Sequence, residues 1–261
     1  MDYDKLNSMT KYPEIKTYHK MGEKGRLQPE LSTELDPYLM YHVSEKVDGT
    51  NTRMIFIVDD CDFDYFLGSR EELLSAKGDR IYNSSQDIVS NLSEPALSLA
   101  ENLFYRNNVR DGVYTFYSEL YGGKLPATKQ YSTSKEYAFR LFDINYLSFE
   151  EFEHLCTLPR DKIANWRDNG GQTFLNTDDR IEMCRVLNLK SVPFKENIFG
   201  REIPTDIKET YEFMQAYRTT KAGIDCEGGR AEGVVIRSDS RKEIVKLRFE
   251  DYERTLGIKR K

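Results

Sequence analysis

The chain has 261 residues, of which 39% are hydrophobic and 12% aromatic, enough to build the core of one large domain or two small ones. Its formal net charge of −6 argues against a protein that coats nucleic acid non-specifically, and no apolar run approaches the length that crosses a membrane. The cysteines are dispersed, without a Cys-x-x-Cys pair, and the N-terminus does not resemble a secretory signal. We therefore expect free thiols, no zinc cluster and a cytoplasmic protein, encoded by a cell, a phage or a virus.

The first half of the chain alternates short β-rich runs with turns. Apolar and aromatic runs predict strands at residues 54–58, 65–67 and 113–119. Between them, an acidic helix is predicted over residues 70–76 and a longer helix over residues 84–106.

The second half is more helical until its last strands. Ser148 and Thr177 precede acidic first turns and are predicted helix N-caps, and a third helix is predicted over residues 205–219. Two final strands are predicted at residues 231–237 and 244–248, so the chain as a whole indicates an α+β fold.

One short motif points to covalent chemistry. It reads Glu45-Lys46-Val47-Asp48-Gly49-Thr50-Asn51 and presents a lysine just before a turn. A lysine is a nucleophile only when its surroundings favour loss of its proton, so its neighbours decide its role. The alternative is a strand that ends in an ordinary turn, with Lys46 in solvent.

Further stretches follow this motif in a fixed order. They deliver acidic, aromatic and basic residues on successive β-like runs, and they read Gly68-Ser69-Arg70, Ser118-Glu119-Leu120-Tyr121-Gly122, Phe139-Arg140-Leu141-Phe142-Asp143, Glu232-Gly233-Val234-Val235 and Lys246-Leu247-Arg248. Each motif is loose by itself, but the ordered set is specific.

With these motifs, the sequence resembles the covalent nucleotidyltransferases, and among them most closely the ATP-dependent RNA ligases of the phage type. The resemblance runs from Lys46 to Arg248 and implies a nucleotidyltransferase (ATP-grasp-like ligase) fold with antiparallel sheets flanked by helices and a nucleotide pocket between them. It also implies a single adenylyltransferase domain over residues 1–261, because the few residues after Arg248 cannot build a C-terminal oligonucleotide-binding barrel.

The resemblance assigns catalytic and metal-binding roles. Lys46 would attack the α-phosphorus of ATP, while Lys246 and Arg248, two apart on one strand face, would contact the phosphates. Arg248 departs from the lysine that is common at this position. Glu232 would hold Mg²⁺, with Mn²⁺ as a possible substitute, and Asp48 would assist. The alternatives are a charged strand face, an edge-strand glutamate and a turn-forming aspartate.

The remaining assignments concern the nucleotide. Glu119 would accept a hydrogen bond from the ribose, and the backbone near Glu45 would read the adenine edge, with Asn51 also assigned to the nucleotide. Arg70 would contact the nucleotide and the RNA terminus, unless it is ordinary surface charge. Phe142 is the predicted platform for adenine; Phe139 competes for that role, and the one that does not bind adenine should pack in the core.

The resemblance therefore predicts an ATP- and Mg²⁺-dependent RNA ligase that joins RNA 5′-phosphate and 3′-hydroxyl ends through lysyl-AMP and RNA-adenylate intermediates. Two alternatives remain open from the residues. One is a minimal DNA ligase or a capping-type guanylyltransferase, and the other is a nucleic-acid end-binding protein that has lost the chemistry. Local basic clusters beside the site would suffice to bind RNA despite the acidic net charge.

Overall fold

The computed structural model describes residues 1–81, 87–105 and 110–259. In chain order the strands are β1 (Lys16–Thr17), β2 (His19–Met21), β3 (Leu27–Leu31), β4 (Met40–Lys46), β5 (Thr50–Val58), β6 (Phe63–Ser69), β7 (Leu73–Ala76), β8 (Asp79–Arg80), β9 (Gly112–Gly122), β10 (Tyr137–Leu147), β11 (Phe194–Phe199), β12 (Gly233–Ser238) and β13 (Ile244–Arg248). The α-helices are α1 (Tyr3–Thr10), α2 (Ile88–Phe104), α3 (Phe149–Thr157), α4 (Arg160–Asp168), α5 (Thr177–Val186), α6 (Ile207–Met214) and α7 (Phe249–Leu256).

The larger sheet has the strand order β10-β9-β5-β6-β7-β8 and is antiparallel. Alternate residues of β5 enter different cores: Met54 and Phe56 pack with α2, whereas Ile55 packs with α1, α3 and α4. Because helices cover both faces, the strand reads as an unbroken apolar run instead of an alternating one. The strands predicted at residues 54–58, 65–67 and 113–119 all lie in this sheet and are confirmed.

The smaller sheet has the strand order β1-β13-β12-β4-β11. Its pairs are antiparallel except for β1 with β13, which is parallel. Val43, Val234 and Val245 face a core shared with α6 and α7. The neighbouring positions on the same strands face the larger sheet, and a cleft of about 540 Å³ lies between the two sheets. The predicted α+β architecture, with antiparallel sheets, flanking helices and a pocket between them, is confirmed.

The N-terminal segment connects the two sheets. Arg53 of β5 is fully buried and donates hydrogen bonds to Asn7 O (3.0 Å) and Thr10 Oγ1 (2.9 Å), which fixes α1 on the larger sheet. Residues 11–15, here called the strap, then lead to β1, where Thr17 pairs with Lys246 of the smaller sheet. The strap therefore forms part of the cleft wall.

The predicted helix over residues 70–76 is wrong. Residues 73–76 form β7, and Phe66 pairs with Ala76. The turn before β7 is closed by the Ser69 hydroxyl, which accepts from Glu72 N (3.0 Å). A segment this short gains little from an isolated helix, whereas pairing with β6 buries Leu73 and Leu74.

The other helix predictions need smaller changes. The helix predicted over residues 84–106 is α2, and the predicted ends Ser84 and Arg106 lie outside the described residues. Ser148 caps α3 with Glu151 in a capping box, as predicted, but α5 is capped by Asn176, one residue before Thr177. Within the predicted third helix, α6 ends at Met214 and a 3-10 turn follows. In the described part of the chain, no helix combines the length and hydrophobicity needed to span a membrane.

Candidate active site

The strand and turn that carry Lys46 form one end of the cleft. Lys46 is the last residue of β4 and lies opposite Gly233 of β12. The following turn packs tightly against β9, because a Cβ on Gly49 would lie 2.2 Å from the carbonyl oxygen of Leu120. Only glycine allows this approach, which explains the Asp-Gly pair after the lysine.

Lys46 is held between carboxylates. Its Nζ lies 2.5 Å from Glu232 Oε2, and the two side chains are 25% and 19% exposed. Burial opposes the charge on Lys46, but the carboxylates of Glu232, Glu119 and Asp48 outweigh that effect and raise its pKa above the ordinary value. In the free protein Lys46 is therefore an ammonium ion.

The carboxylates around Lys46 are themselves perturbed. Burial raises the pKa of Glu119 to about 7, with Glu232 and Asp48 adding to the rise and Lys46 opposing it. Burial likewise raises the pKa of Glu232, against the opposing charge of Lys46. This end of the cleft thus holds more negative charge than one ammonium neutralises, which favours a further cation.

These residues fit a divalent metal that is completed by its substrate. Among the described residues, no three His, Cys, Asp or Glu side chains are placed to form a metal site from protein groups alone. Mg²⁺ is commonly held by one or two carboxylates together with phosphates and water. Glu232 and Asp48, the predicted metal ligands, both line the cleft beside Lys46 and match that pattern.

The predicted phosphate contacts lie on the smaller sheet. Lys246 and Arg248 occupy alternate positions of β13, and both line the cleft. Burial lowers the pKa of Lys246, and the charges of Arg248 and Lys46 act in the same direction against that of Glu14. Arg248 is fixed by a bidentate pair to Asp251, with Nε–Oδ2 2.7 Å and Nη2–Oδ1 2.9 Å.

Phe142 and Phe139 lie in different places, as predicted. The register of β10 with β9 shifts between Leu141 and Asp143, so Phe142 is the extra residue of a β-bulge, and it lines the cleft. Phe139 packs against the core under α2. Val235 of β12 and Val192 also line the cleft and give it apolar surface for a planar ring.

Four further predicted residues border the cleft in different ways. Glu119 and Asn51 line it from paired positions of β9 and β5, and Asn51 Oδ1 is buried without a hydrogen-bond partner among the described residues. Arg70 lines it with a side chain that is 59% exposed. The Glu45 carboxylate is occupied elsewhere, by Lys195 Nζ at 3.0 Å and Lys221 N at 2.8 Å, and the Glu45 backbone N–H donates to Pro193 O (2.9 Å).

Two groups of residues in and beside the cleft have no role in the motif assignments. The strap contributes Tyr12 and Glu14. Asp143, quoted in a motif without a role, lines the cleft with Arg237 and pairs with Arg237 (3.1 Å) and with the neighbouring Arg241 (2.6 Å). Tyr12 OH donates to Asp143 Oδ2 (2.8 Å) and so links the strap to β10. The residues involved are far apart in the sequence and follow no common spacing that could have identified them.

Comparisons with known proteins give a family match and a shared fold. A protein-family model described as RNA ligase matches residues 40–249, a range that holds all the motifs from Lys46 to Arg248. No curated protein matches the chain significantly.

Solved structures of the Naegleria gruberi RNA ligase share the fold. A single-residue mutant with ATP and Mn has a TM-score of 0.53 and 14% identity, over 94% of this chain and 62% of that chain. The same ligase with PPi has a TM-score of 0.52 and 14% identity, over 95% and 64%. Another mutant with AMP and Mn also has a TM-score of 0.52 and 14% identity, over 95% of this chain and 64% of that chain. This chain therefore spans less than two thirds of the length of those ligase chains.

Proposed function

This chain belongs to the RNA ligase family, and on that premise we propose that it is an ATP-dependent RNA ligase that joins a 5′-phosphate end to a 3′-hydroxyl end. The observation that carries the proposal is the position of Lys46. Its ammonium lies in a cleft beside Glu232, and Lys246 and Arg248 line the same cleft from the adjacent sheet. A nucleophile, carboxylates and phosphate-binding cations are thus combined in one site.

In the first step, Lys46 Nζ forms a bond to the α-phosphorus of ATP while the bond to the β-phosphate oxygen breaks and pyrophosphate leaves. The product is lysyl-AMP. Such a displacement depends mostly on alignment and on cations that face the charged oxygens. Lys246 and Arg248 supply those cations, and the pair with Asp251 keeps the guanidinium of Arg248 in place.

Lys46 must lose a proton before it can attack, and its raised pKa opposes that loss. Glu232, with Asp48 beside it, would hold Mg²⁺ or Mn²⁺. When bound, the metal ion supplies positive charge to the phosphate oxygens and offsets the carboxylate charge that keeps Lys46 protonated. Glu232 thus has two roles, as counter-ion of the resting lysine and as metal ligand.

The nucleotide would lie along the cleft. Phe142 offers the base an aromatic face, and Glu119 offers the ribose a hydrogen-bond acceptor. The backbone near Glu45 would contact the base edge, and the unpartnered Oδ1 of Asn51 would accept from a ligand hydroxyl.

The later steps use the same cleft. AMP passes from Lys46 to an RNA 5′-phosphate, and a 3′-hydroxyl then displaces AMP to form the phosphodiester. The exposed Arg70 at the edge of the cleft is suited to contact the RNA terminus. In this proposal residues 1–261 act as one adenylyltransferase unit, in the cytoplasm.

The decisive experiment is intact-mass analysis of the protein before and after incubation with ATP and Mg²⁺. The proposal requires a gain of one adenylyl group that GTP does not produce and that Lys46→Ala abolishes. The sample is first treated with pyrophosphate, which removes AMP acquired during expression. A protein that then fails to gain mass is not a ligase of this type, and the end-binding alternative replaces the proposal.

A strand-joining assay then tests whether RNA or DNA is the preferred substrate. We expect the adenylylated protein to seal 5′-phosphorylated RNA, and to seal the matched DNA substrate less efficiently. Equal or faster joining of DNA would assign the chain to DNA sealing.

A further inference from the structure

Each cation that the motifs place at the phosphate end of the cleft already has a carboxylate partner in the free protein. The four pairs and their N–O distances are Lys46–Glu232 (2.5 Å), Arg70–Glu71 (3.5 Å), Lys246–Glu14 (3.7 Å) and Arg248–Asp251 (2.7 Å). Bound phosphates must therefore compete with charges that the protein itself supplies.

The carboxylates that pair with Lys246 and with Arg248 differ in how firmly they are held. Asp251 is 1% exposed and makes two hydrogen bonds to Arg248, so it holds the guanidinium in a fixed position. Glu14 is 73% exposed and its oxygen lies 3.7 Å from Lys246 Nζ. A pair at this distance with one exposed partner is weak, and phosphate oxygens can displace the Glu14 carboxylate from Lys246.

The backbone of Glu14 is nevertheless kept beside Lys246. At the start of the strap, Gln172 Nε2 donates to Lys11 O (3.1 Å). At its far end, β1 pairs with β13, and Tyr18 N donates to Lys246 O (3.0 Å). With both ends attached, the carboxylate of Glu14 can rotate away from Lys246 but stays near the phosphate end of the cleft.

We propose that Glu14 is a positioning residue that holds Lys246 in the free protein and weakens the binding of pyrophosphate, so that the product leaves instead of reversing the first step. This inference rests on the proposed function. Pyrophosphate at Lys246 must displace the Glu14 carboxylate and remain near its negative charge. ATP meets the same repulsion but is also bound through its base and ribose, at Phe142 and Glu119, contacts that pyrophosphate lacks.

The test is the dissociation constant of inorganic pyrophosphate, measured by calorimetry at low ionic strength without divalent metal. We expect Glu14→Gln to bind pyrophosphate about two- to fivefold more tightly than the unmodified protein. The matched control is Glu94→Gln, which removes the same charge from an exposed position of α2, outside the cleft, and should change nothing. Because exposed charges are screened, the gain should shrink as salt is added.

Three outcomes would overturn the inference. They are equal affinity in Glu14→Gln and the unmodified protein, an equal gain in Glu94→Gln, and no pyrophosphate binding to any of the three proteins. Glu14→Lys gives a second check, because it should tighten binding further in the same direction.

The pyrophosphate-binding test of Glu14 can fail or succeed independently of the adenylylation test of the proposed function. Calorimetry reports pyrophosphate binding whether or not Lys46 reacts, so a protein that is never adenylylated can still show the Glu14 effect. In a protein that is adenylylated, Glu14→Gln should also reverse lysyl-AMP faster at limiting pyrophosphate. Normal adenylylation without either change would remove the role of Glu14 and leave the ligase proposal intact.

Discussion

The ammonium of Lys46 lies 2.5 Å from the carboxylate of Glu232, although 186 positions separate the two residues in the chain. The contact exists because β4 and β12 are neighbours in the smaller sheet, with Lys46 opposite Gly233. It keeps the proposed nucleophile protonated in the free protein, and it thereby links the charge of Lys46 to the charges around it.

The rate of lysyl-AMP formation should rise with pH. In the proposed reaction Lys46 attacks as the neutral amine, and in the free protein its pKa lies above the ordinary value, so the reactive fraction grows about tenfold per pH unit while most Lys46 is protonated. The measurement is single-turnover adenylylation at limiting ATP and Mg²⁺, where the rate reflects the ionisation of the free protein, from about pH 6 to about pH 9. Glu232→Gln should be slower overall, but its profile should move to lower pH because a carboxylate that raises the pKa is gone. A flat profile in the unmodified protein would contradict this role of Lys46.

Glu119→Gln should stabilise the free protein at high pH more than at low pH. The folded state raises the pKa of Glu119 from 4.5 to about 7, so its favourable contribution is present below about pH 4.5 and is lost as the pH rises through about 7. Glutamine does not titrate, so at high pH Glu119→Gln should have a free energy of unfolding higher than that of the unmodified protein by roughly 1–3 kcal/mol. Urea unfolding at about pH 5 and about pH 8 measures the difference, and Glu94→Gln is the control for loss of an exposed charge. A variant that is equally stabilised or destabilised at both pH values would argue against a neutral Glu119.

Phe142→Ala should weaken nucleotide binding more than a comparable deletion outside the cleft does. The ring lines the cleft, and removing a stacked aromatic ring costs about 1–3 kcal/mol of binding. Phe139→Ala is the matched control, because it deletes a ring of the same strand that packs in the core. Calorimetry with a non-hydrolysable ATP analogue should therefore separate the two variants, and thermal unfolding shows that both remain folded, since both rings pack against core residues. If Phe139→Ala weakens binding more than Phe142→Ala does, the assignment of the base platform must be exchanged.

Arg53→Met should destabilise the fold by about 3 kcal/mol or more. Arg53 is fully buried, and its loss leaves Asn7 O, Thr10 Oγ1 and Ser69 O without their donor. Arg160→Met removes an exposed arginine paired with Asp4 and should change stability by less than about 1 kcal/mol. The free energy of unfolding in urea distinguishes these outcomes. Since Arg53 fixes α1 just before the strap, Arg53→Met should also make the N-terminal residues more sensitive to protease. If the N-terminal residues of Arg53→Met resist protease as well as those of Arg160→Met do, other contacts hold α1 in place.

Features that depend on neighbouring residues could be read from the sequence. The apolar run of β5, the capping box at Ser148 and the lysine before an Asp-Gly turn each follow from short-range propensity, capping or turn chemistry. The order of the motifs indicated the family, and the family resemblance in turn predicted which residues line the cleft. The same local rules failed at residues 70–76, where pairing with β6 decided in favour of a strand.

The tertiary structure alone decided how these residues meet. Strand pairing places Glu232 against Lys46, and attachment of the strap at both ends brings Glu14 to Lys246. Such contacts join residues far apart in the chain, and their geometry follows from which strands become neighbours and in what register. The types of chemical group in the site were therefore legible in the sequence, whereas their charge states and partners depend on burial and distance, which only the folded chain defines.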